Sequence, residues 1–97
     1  MKVSFSAQAL DDAQQQADWY ITQGAWAAAQ ALHLALVHAV QRVAVSPGLG
    51  SPGPLGTRLW PLRRFPVSLV YRVDGESLRI IAVAPHRRRP GFWAGRR

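Results

Sequence analysis

The chain contains no cysteine, which excludes disulfides, thiolate zinc sites and cysteine nucleophiles together. That absence fits a reducing compartment. Acidic residues are scarce as well: five Asp and Glu stand against twelve Lys and Arg, for a formal net charge of +7. Lysine is almost missing, because Lys2 is the only one beside eleven arginines. The opening Met1-Lys2-Val3-Ser4-Phe5 lacks the apolar run of a secretory signal. The longest apolar stretch, Ala25 to Val40, is interrupted by Gln30, His33 and His38 and is short for a membrane span. These absences lead us to expect a soluble cytoplasmic chain with no membrane segment.

What is present is arginine, unevenly placed. Asp11, Asp12 and Asp18 lie near the start, every arginine comes at Arg42 or later, and five arginines fall in the segment 86–97. The guanidinium is a rigid fork of donors suited to carboxylate or phosphate, so this bias favours specific binding of an acidic partner, nucleic acid or protein. With 97 residues and 48% hydrophobic content, the chain suits one domain spanning 1–97, with a basic tail at about 86–97.

Hydrophobic periodicity predicts an α+β fold. Val3 and Phe5 alternate with polar neighbours, as in a short first strand. Ser6 is placed as an N-cap, and Leu10, Ala13, Ala17, Tyr20 and Ile21 recur at helical spacing until Gly24, giving a first helix over 7–23. Trp26, Ala29, Leu32, Leu36, Val40 and Val43 form the stripe of a second helix. Leu34, Val37 and Val45 widen that stripe, so the helix is expected to be largely buried. The short joint makes the pair a helical hairpin. Ser46 to Gly56 is so rich in Gly and Pro that neither helix nor ladder is expected through it. Pro61 marks 57–65 as an edge strand or bulge. Val67 to Val73 and Ser77 to Ala84 flank Asp74-Gly75, a hairpin signal. With that pair as the turn, Tyr71 meets Leu78, Leu69 meets Ile80 and Val67 meets Ala82 on one apolar face. Arg72, Ser77, Arg79 and Val70 then occupy the other. The expected architecture is an N-terminal strand and an α-helical hairpin packed on a small antiparallel β-sheet.

Catalytic patterns are sparse. His33 and His38 are about 140° apart around a helix and cannot chelate one metal as an i, i+4 pair could. Asp11 and Asp18 stand about 10 Å apart by helical rise, where capping and solubility account for them. The glycines of 48–56 match neither a phosphate loop nor a dinucleotide fingerprint. No metal or cofactor is expected. The segment His86-Arg87-Arg88-Arg89-Pro90-Gly91-Phe92-Trp93-Ala94-Gly95-Arg96-Arg97 mixes cations with large aromatics, a composition suited to phosphate contact with stacking or to a basic protein interface. Arg63, Arg64, Arg72 and Arg79 extend that basic surface towards the sheet.

Three runs carry a family resemblance: Arg64-Phe65-Pro66-Val67 to Tyr71-Arg72-Val73; Leu78-Arg79-Ile80-Ile81-Ala82-Val83-Ala84; and Arg87-Arg88-Arg89-Pro90-Gly91-Phe92-Trp93. In this combination they resemble the C-terminal half of ParE-like toxins in the RelE/ParE superfamily. The N-terminal half agrees, through its short strand, its first helix bearing Trp19-Tyr20 and its long second helix. The resemblance implies a toxin neutralised by a cognate antitoxin in a hetero-oligomer. ParE-like members are associated with inhibition of DNA gyrase; RelE-like members cut mRNA on the ribosome. Carried over by position, the target-binding residues are Arg72, Arg79, Arg87, Arg88, Arg89, Phe92 and Trp93. In the nuclease alternative, His86, Arg72 and Arg79 would be catalytic. The chain departs from the family pattern in having Pro85 where histidine is common, with His86 one residue later. It also has Phe92 where tyrosine is frequent, and a phenyl ring cannot transfer a proton. These departures favour gyrase inhibition over RNA cleavage. A non-toxic relative acting only in antitoxin binding is the third alternative.

Overall fold

The computed structural model describes residues 1–97. Strand β1 (Lys2–Phe5) leads into helix α1 (Ala7–Thr22) and helix α2 (Trp26–Val45). Strands β2 (Ser51–Pro52), β3 (Arg58–Pro61), β4 (Val67–Asp74) and β5 (Ser77–Pro85) follow. The five strands form one sheet in the order β1-β5-β4-β3-β2. The sheet is mixed, because β1 runs parallel to β5 while the other pairs are antiparallel.

The caps explain the helical hairpin. Ser6 adopts extended backbone angles and its Oγ accepts the Ala9 N–H at 3.0 Å, meeting one of the donors that a helix start leaves unpaired. At the other end Gly24 has φ 75°, its N–H donates to Ile21 O, and the Ala25 N–H donates to Tyr20 O. This pair of bonds about a left-handed glycine is the Schellman arrangement, and it reverses the chain straight into α2.

Helix α2 buries only one arc. Ala29, Leu32, Ala39 and Val43 are buried, whereas Trp26, Leu34, Val37 and Val45 are 64, 61, 38 and 84% exposed. The expectation of a largely buried second helix is corrected accordingly. At 100° per residue, positions 26, 34, 37 and 45 fall on the arc opposite 29, 32, 39 and 43, and α1 together with the sheet covers only the second of these.

The sheet departs from the expected register in two ways. Asp74 pairs with Ser77, so the two-residue turn is Gly75-Glu76, with Gly75 at φ 59°. A positive φ at the first central position is what a type II′ turn requires, and only glycine adopts it freely. Tyr71 therefore pairs with Ile80 and Val73 with Leu78. Ile81 is then bulged out of the ladder, after which Val70 pairs with Ala82, Leu69 with Val83 and Val67 with Pro85. The extra residue inverts the alternation. Ala82, expected on the helix-facing side, lies instead with Val70, Ile81, Ala84 and Trp93 in a second buried cluster. Val83 takes its place among Leu32, Val43, Val67, Leu69, Tyr71, Leu78 and Ile80 in the main core. Both faces of the sheet are thus covered, one by the helices and the other by the tail.

The Gly/Pro connection holds two short 3-10 turns and β2, which pairs with β3 through Ser51–Leu59 and Pro52–Arg58. A ladder does form where none was expected. Pro52 is tolerated because β2 is the outermost strand, where a missing N–H costs little. The connection is pinned from below: the buried Tyr71 hydroxyl donates to Pro47 O at 2.7 Å and accepts the Gly50 N–H at 2.9 Å.

Candidate functional site

The arginines are largely without acidic partners inside the chain. Arg96 alone forms an ion pair, which leaves ten of the eleven arginines with no carboxylate in the chain to neutralise them. They gather in three places. Arg63 and Arg64 sit exposed in the β3–β4 loop, and Arg87, Arg88 and Arg89 in the turn after β5. The His86 N–H donates to Pro66 O at 2.8 Å, so this loop and this turn adjoin at one end of the sheet. Arg72 and Arg79 pair across β4 and β5 on the face away from the helices, and both are tied down. Arg72 donates to Leu55 O and Arg96 O, and Arg79 to Ser4 Oγ and Phe5 O. The remainder includes Arg42, 5.9 Å from the Trp60 ring.

The tail is packed onto the sheet. Trp93 is 4% exposed and lies in the cluster with Val70, Ile81, Ala82 and Ala84. Phe92 is half-buried, with the Arg88 guanidinium 3.7 Å and the Arg96 guanidinium 5.1 Å from its ring. The two aromatics meet edge to face at 5.3 Å. Among the expected contact residues, Arg87, Arg88 and Arg89 face solvent, whereas Trp93 anchors the turn and Phe92 supports Arg88 through its ring. His86 is exposed, and its Nε2 lies 2.8 Å from Ser68 Oγ. His33 and His38 are exposed on α2, and no group of three His, Asp or Glu gathers at a distance suited to a metal.

Sequence reasoning missed the role of Asp12 and its pairing with Arg96. Asp12 is 5% exposed, accepts the Val83 N–H at 3.1 Å and is paired with Arg96. The signal was its position: Asp12 lies at helical spacing between Ala9 and Ala13 on the inward stripe of α1, where a carboxylate needs a partner. With Gln15, Gln16, Arg87 and Arg88 it lines a polar cleft of about 420 Å³ between α1 and the basic turn.

A second surface is apolar. Between α2 and the β3–β4 loop runs an open groove of about 830 Å³, whose walls include Leu34, Val45, Leu49, Trp60 and Phe65. It continues onto the exposed stripe of α2, which carries no charged residue between Trp26 and Gln41. Arg42, Arg63 and Arg64 stand along the groove. An exposed apolar surface bordered by cations has the composition that protein interfaces use.

The fold and these surfaces define a small basic protein, a helical hairpin on a sheet, with one apolar and one cationic face. Over residues 3–90 the sequence matches the family described as ParE toxin of type II toxin-antitoxin system, parDE, and the chain belongs to that family. Among solved structures, a chain described as "Chromosomal ParDE TA system from P. aeruginosa" is similar, with a TM-score of 0.77 and 24% sequence identity. The match covers 88% of this chain and 95% of that one, and at this identity it speaks for the fold. No curated protein sequence matches the chain. No helix is long and apolar enough to cross a membrane.

Proposed function

We propose that this protein is a toxin that arrests growth by binding and inhibiting DNA gyrase, and that a cognate antitoxin neutralises it in a hetero-oligomeric complex. The observation that carries the proposal is the set of arginines without internal carboxylates, concentrated in the Arg87–Arg89 turn and continued by Arg72 and Arg79 on the sheet. Such a surface steers towards an acidic partner and holds it by charge-assisted hydrogen bonds. Phe92 and Trp93 contribute by fixing the turn. No covalent chemistry is assigned to the chain in this reading.

The antitoxin is placed on the other surface. Leu34, Val45, Trp60 and Phe65 offer pockets for apolar side chains, and Arg42, Arg63 and Arg64 beside them suit acidic flanks. An amphipathic acidic segment meets both demands.

RNA cleavage is the second reading, and His86 is the observation that favours it. Its imidazole is exposed beside three arginines and oriented by Ser68, an arrangement able to serve proton transfer near a phosphate. A supercoiling assay with purified gyrase decides between the two. Loss of supercoiling that antitoxin reverses supports gyrase inhibition. Unimpaired supercoiling at high excess, with cleaved transcripts in arrested cells that His86→Ala abolishes, refutes it in favour of RNA cleavage.

A further inference from the structure

Strand β5 is longer than its neighbour. Strand β1 pairs only with residues 77–80, so from Ile81 onwards the edge of β5 runs unpaired beside α1. A buried strand edge must find other partners for its backbone groups. Ile81 O accepts the Ser6 hydroxyl at 3.3 Å and an Arg96 N–H at 3.2 Å, and the Val83 N–H donates to Asp12 Oδ2. One backbone donor leaves Asp12 with an unmet negative charge. Arg96 meets it in a two-pronged pair, with Nη1 at 2.5 Å from Oδ2 and Nη2 at 3.2 Å from Oδ1.

Arg96 is the far end of the tail, and its contacts run back to the basic turn. Its carbonyl accepts an Arg72 N–H at 2.8 Å, its guanidinium borders Phe92, and Phe92 supports Arg88. Asp12 itself lines the cleft that Arg87 and Arg88 border. The pair thus connects a buried point on α1 to the exposed cations. The main core contains neither Arg96 nor any other residue after Val83, so the helix-facing burial does not depend on this connection, and only the smaller cluster around Trp93 does. A buried ion pair adds little net stability over apolar side chains of similar shape, but it can specify one arrangement over others. Both Trp93 and Arg96 lie beyond residues 3–90, the part matched to the family.

We propose that Asp12 and Arg96 are positioning residues: together they latch the tail so that Arg87, Arg88 and Arg89 are presented in one fixed geometry to an acidic macromolecular surface. This rests on the reading that the Arg87–Arg89 turn touches the target. The latch is local, and its loss frees the turn without opening the sheet.

Amide hydrogen exchange on the full chain tests it, because the N–H groups of His86, Arg88, Ala94 and Arg96 all donate within the tail or to the adjoining loop. Arg96→Ala is expected to speed exchange at these amides at least tenfold while residues 67–80 keep wild-type protection. Asp12→Asn should behave in the same way. Arg96→Lys, which keeps the charge but not the fork, should fall between. Arg97→Ala removes the same charge next door and should leave tail exchange unchanged. Growth arrest on induction should weaken at least tenfold in Arg96→Ala and be partly restored in Arg96→Lys. Wild-type tail protection in Arg96→Ala overturns the latch. Faster exchange throughout the sheet overturns it too, by making the pair a support of the whole fold. A loosened tail with undiminished growth arrest overturns the positioning role. Gyrase that keeps its supercoiling activity with the wild-type chain counts against the gyrase reading alone. A wild-type chain that arrests no growth defeats the toxin reading, and exchange alone then decides the latch.

Discussion

The joint between the Gly/Pro connection and the sheet permits a prediction worked from distances. The Tyr71 side chain is 0% exposed, and its hydroxyl serves both Pro47 O and the Gly50 N–H. Tyr71→Phe removes that hydroxyl and leaves the buried Gly50 N–H without a partner. A buried orphan costs about 1–3 kcal/mol, which in a domain of this size lowers the melting temperature by about 4–8 °C for each kcal/mol. Gly50→Ala acts on the same contact from the other side. Its backbone angles, φ −66° and ψ 147°, suit any residue, so the penalty is purely steric. The new Cβ would lie 2.7 Å from Tyr71 Oη, 2.9 Å from Cε1 and 3.0 Å from Arg58 Cβ. Overpacking of this kind costs about 1–3 kcal/mol. Because the closest clash is with the hydroxyl, Gly50→Ala should cost about 1 kcal/mol less in the Tyr71→Phe background than in the wild type. Urea titration of the four proteins in the double-mutant cycle measures this. Additivity within about 0.3 kcal/mol would refute the contact as the source of either effect.

Gly53→Ala should destabilise less than Gly50→Ala in the same titration, since the atom nearest its Cβ, Leu59 Cδ1, ends a half-buried side chain that can rotate away, whereas Tyr71 is buried and held by two hydrogen bonds. Trp93 has a buried indole N–H without a hydrogen-bond partner, so Trp93→Phe should change stability by less than about 1 kcal/mol and retain growth arrest. Trp93→Ala, which leaves a cavity where the ring was, should cost about 3 kcal/mol or release the tail, and abolish growth arrest. Leu34→Glu, at a side chain 61% exposed, should leave the unfolding midpoint unchanged and weaken antitoxin binding at least tenfold by calorimetry.

Local chemistry made much of the fold legible. Ser6, Gly24 and the 3.6-residue spacing located both helices, because caps and periodicity act within a few residues of themselves. What escaped the sequence depended on distant partners. The bulge at Ile81 leaves no compositional trace, yet it moves Ala82 from the core to the back cluster and puts Val83 in its place. The four exposed apolar residues of α2 fit a buried helix equally well by pattern, and only where α1 and the sheet lie against it decides. In the site, residue types were informative and orientation was not. The run Phe92-Trp93 was legible as an aromatic pair among cations, but that Trp93 is the buried ring follows from its packing with Val70 and Ala82 on the back of the sheet. Asp12 was visible as an acid on an apolar stripe, whereas its partner lies 84 residues away in sequence.

The basic turn also raises the question of why it is ordered at all. Arg87, Arg88 and Arg89 are consecutive and face water, and two unit charges about 7 Å apart in water repel by roughly 0.6 kcal/mol. Several such pairs work against any fixed tail. Opposing them are the burial of Trp93, the contact of Arg88 with Phe92 and the Asp12–Arg96 pair. The repelling charges are exposed and therefore screened by salt, while Asp12 and Arg96 are only 5% and 16% exposed and screened far less. Moderate salt should therefore tighten the tail even as it weakens attraction to an acidic partner. Tail order and target affinity then move in opposite directions with ionic strength, so exchange at Ala94 and Arg96 should slow between low and physiological salt while complex formation weakens. A tail that loosened in step with the complex would mean that surface charge, rather than the buried pair and Trp93, holds it in place.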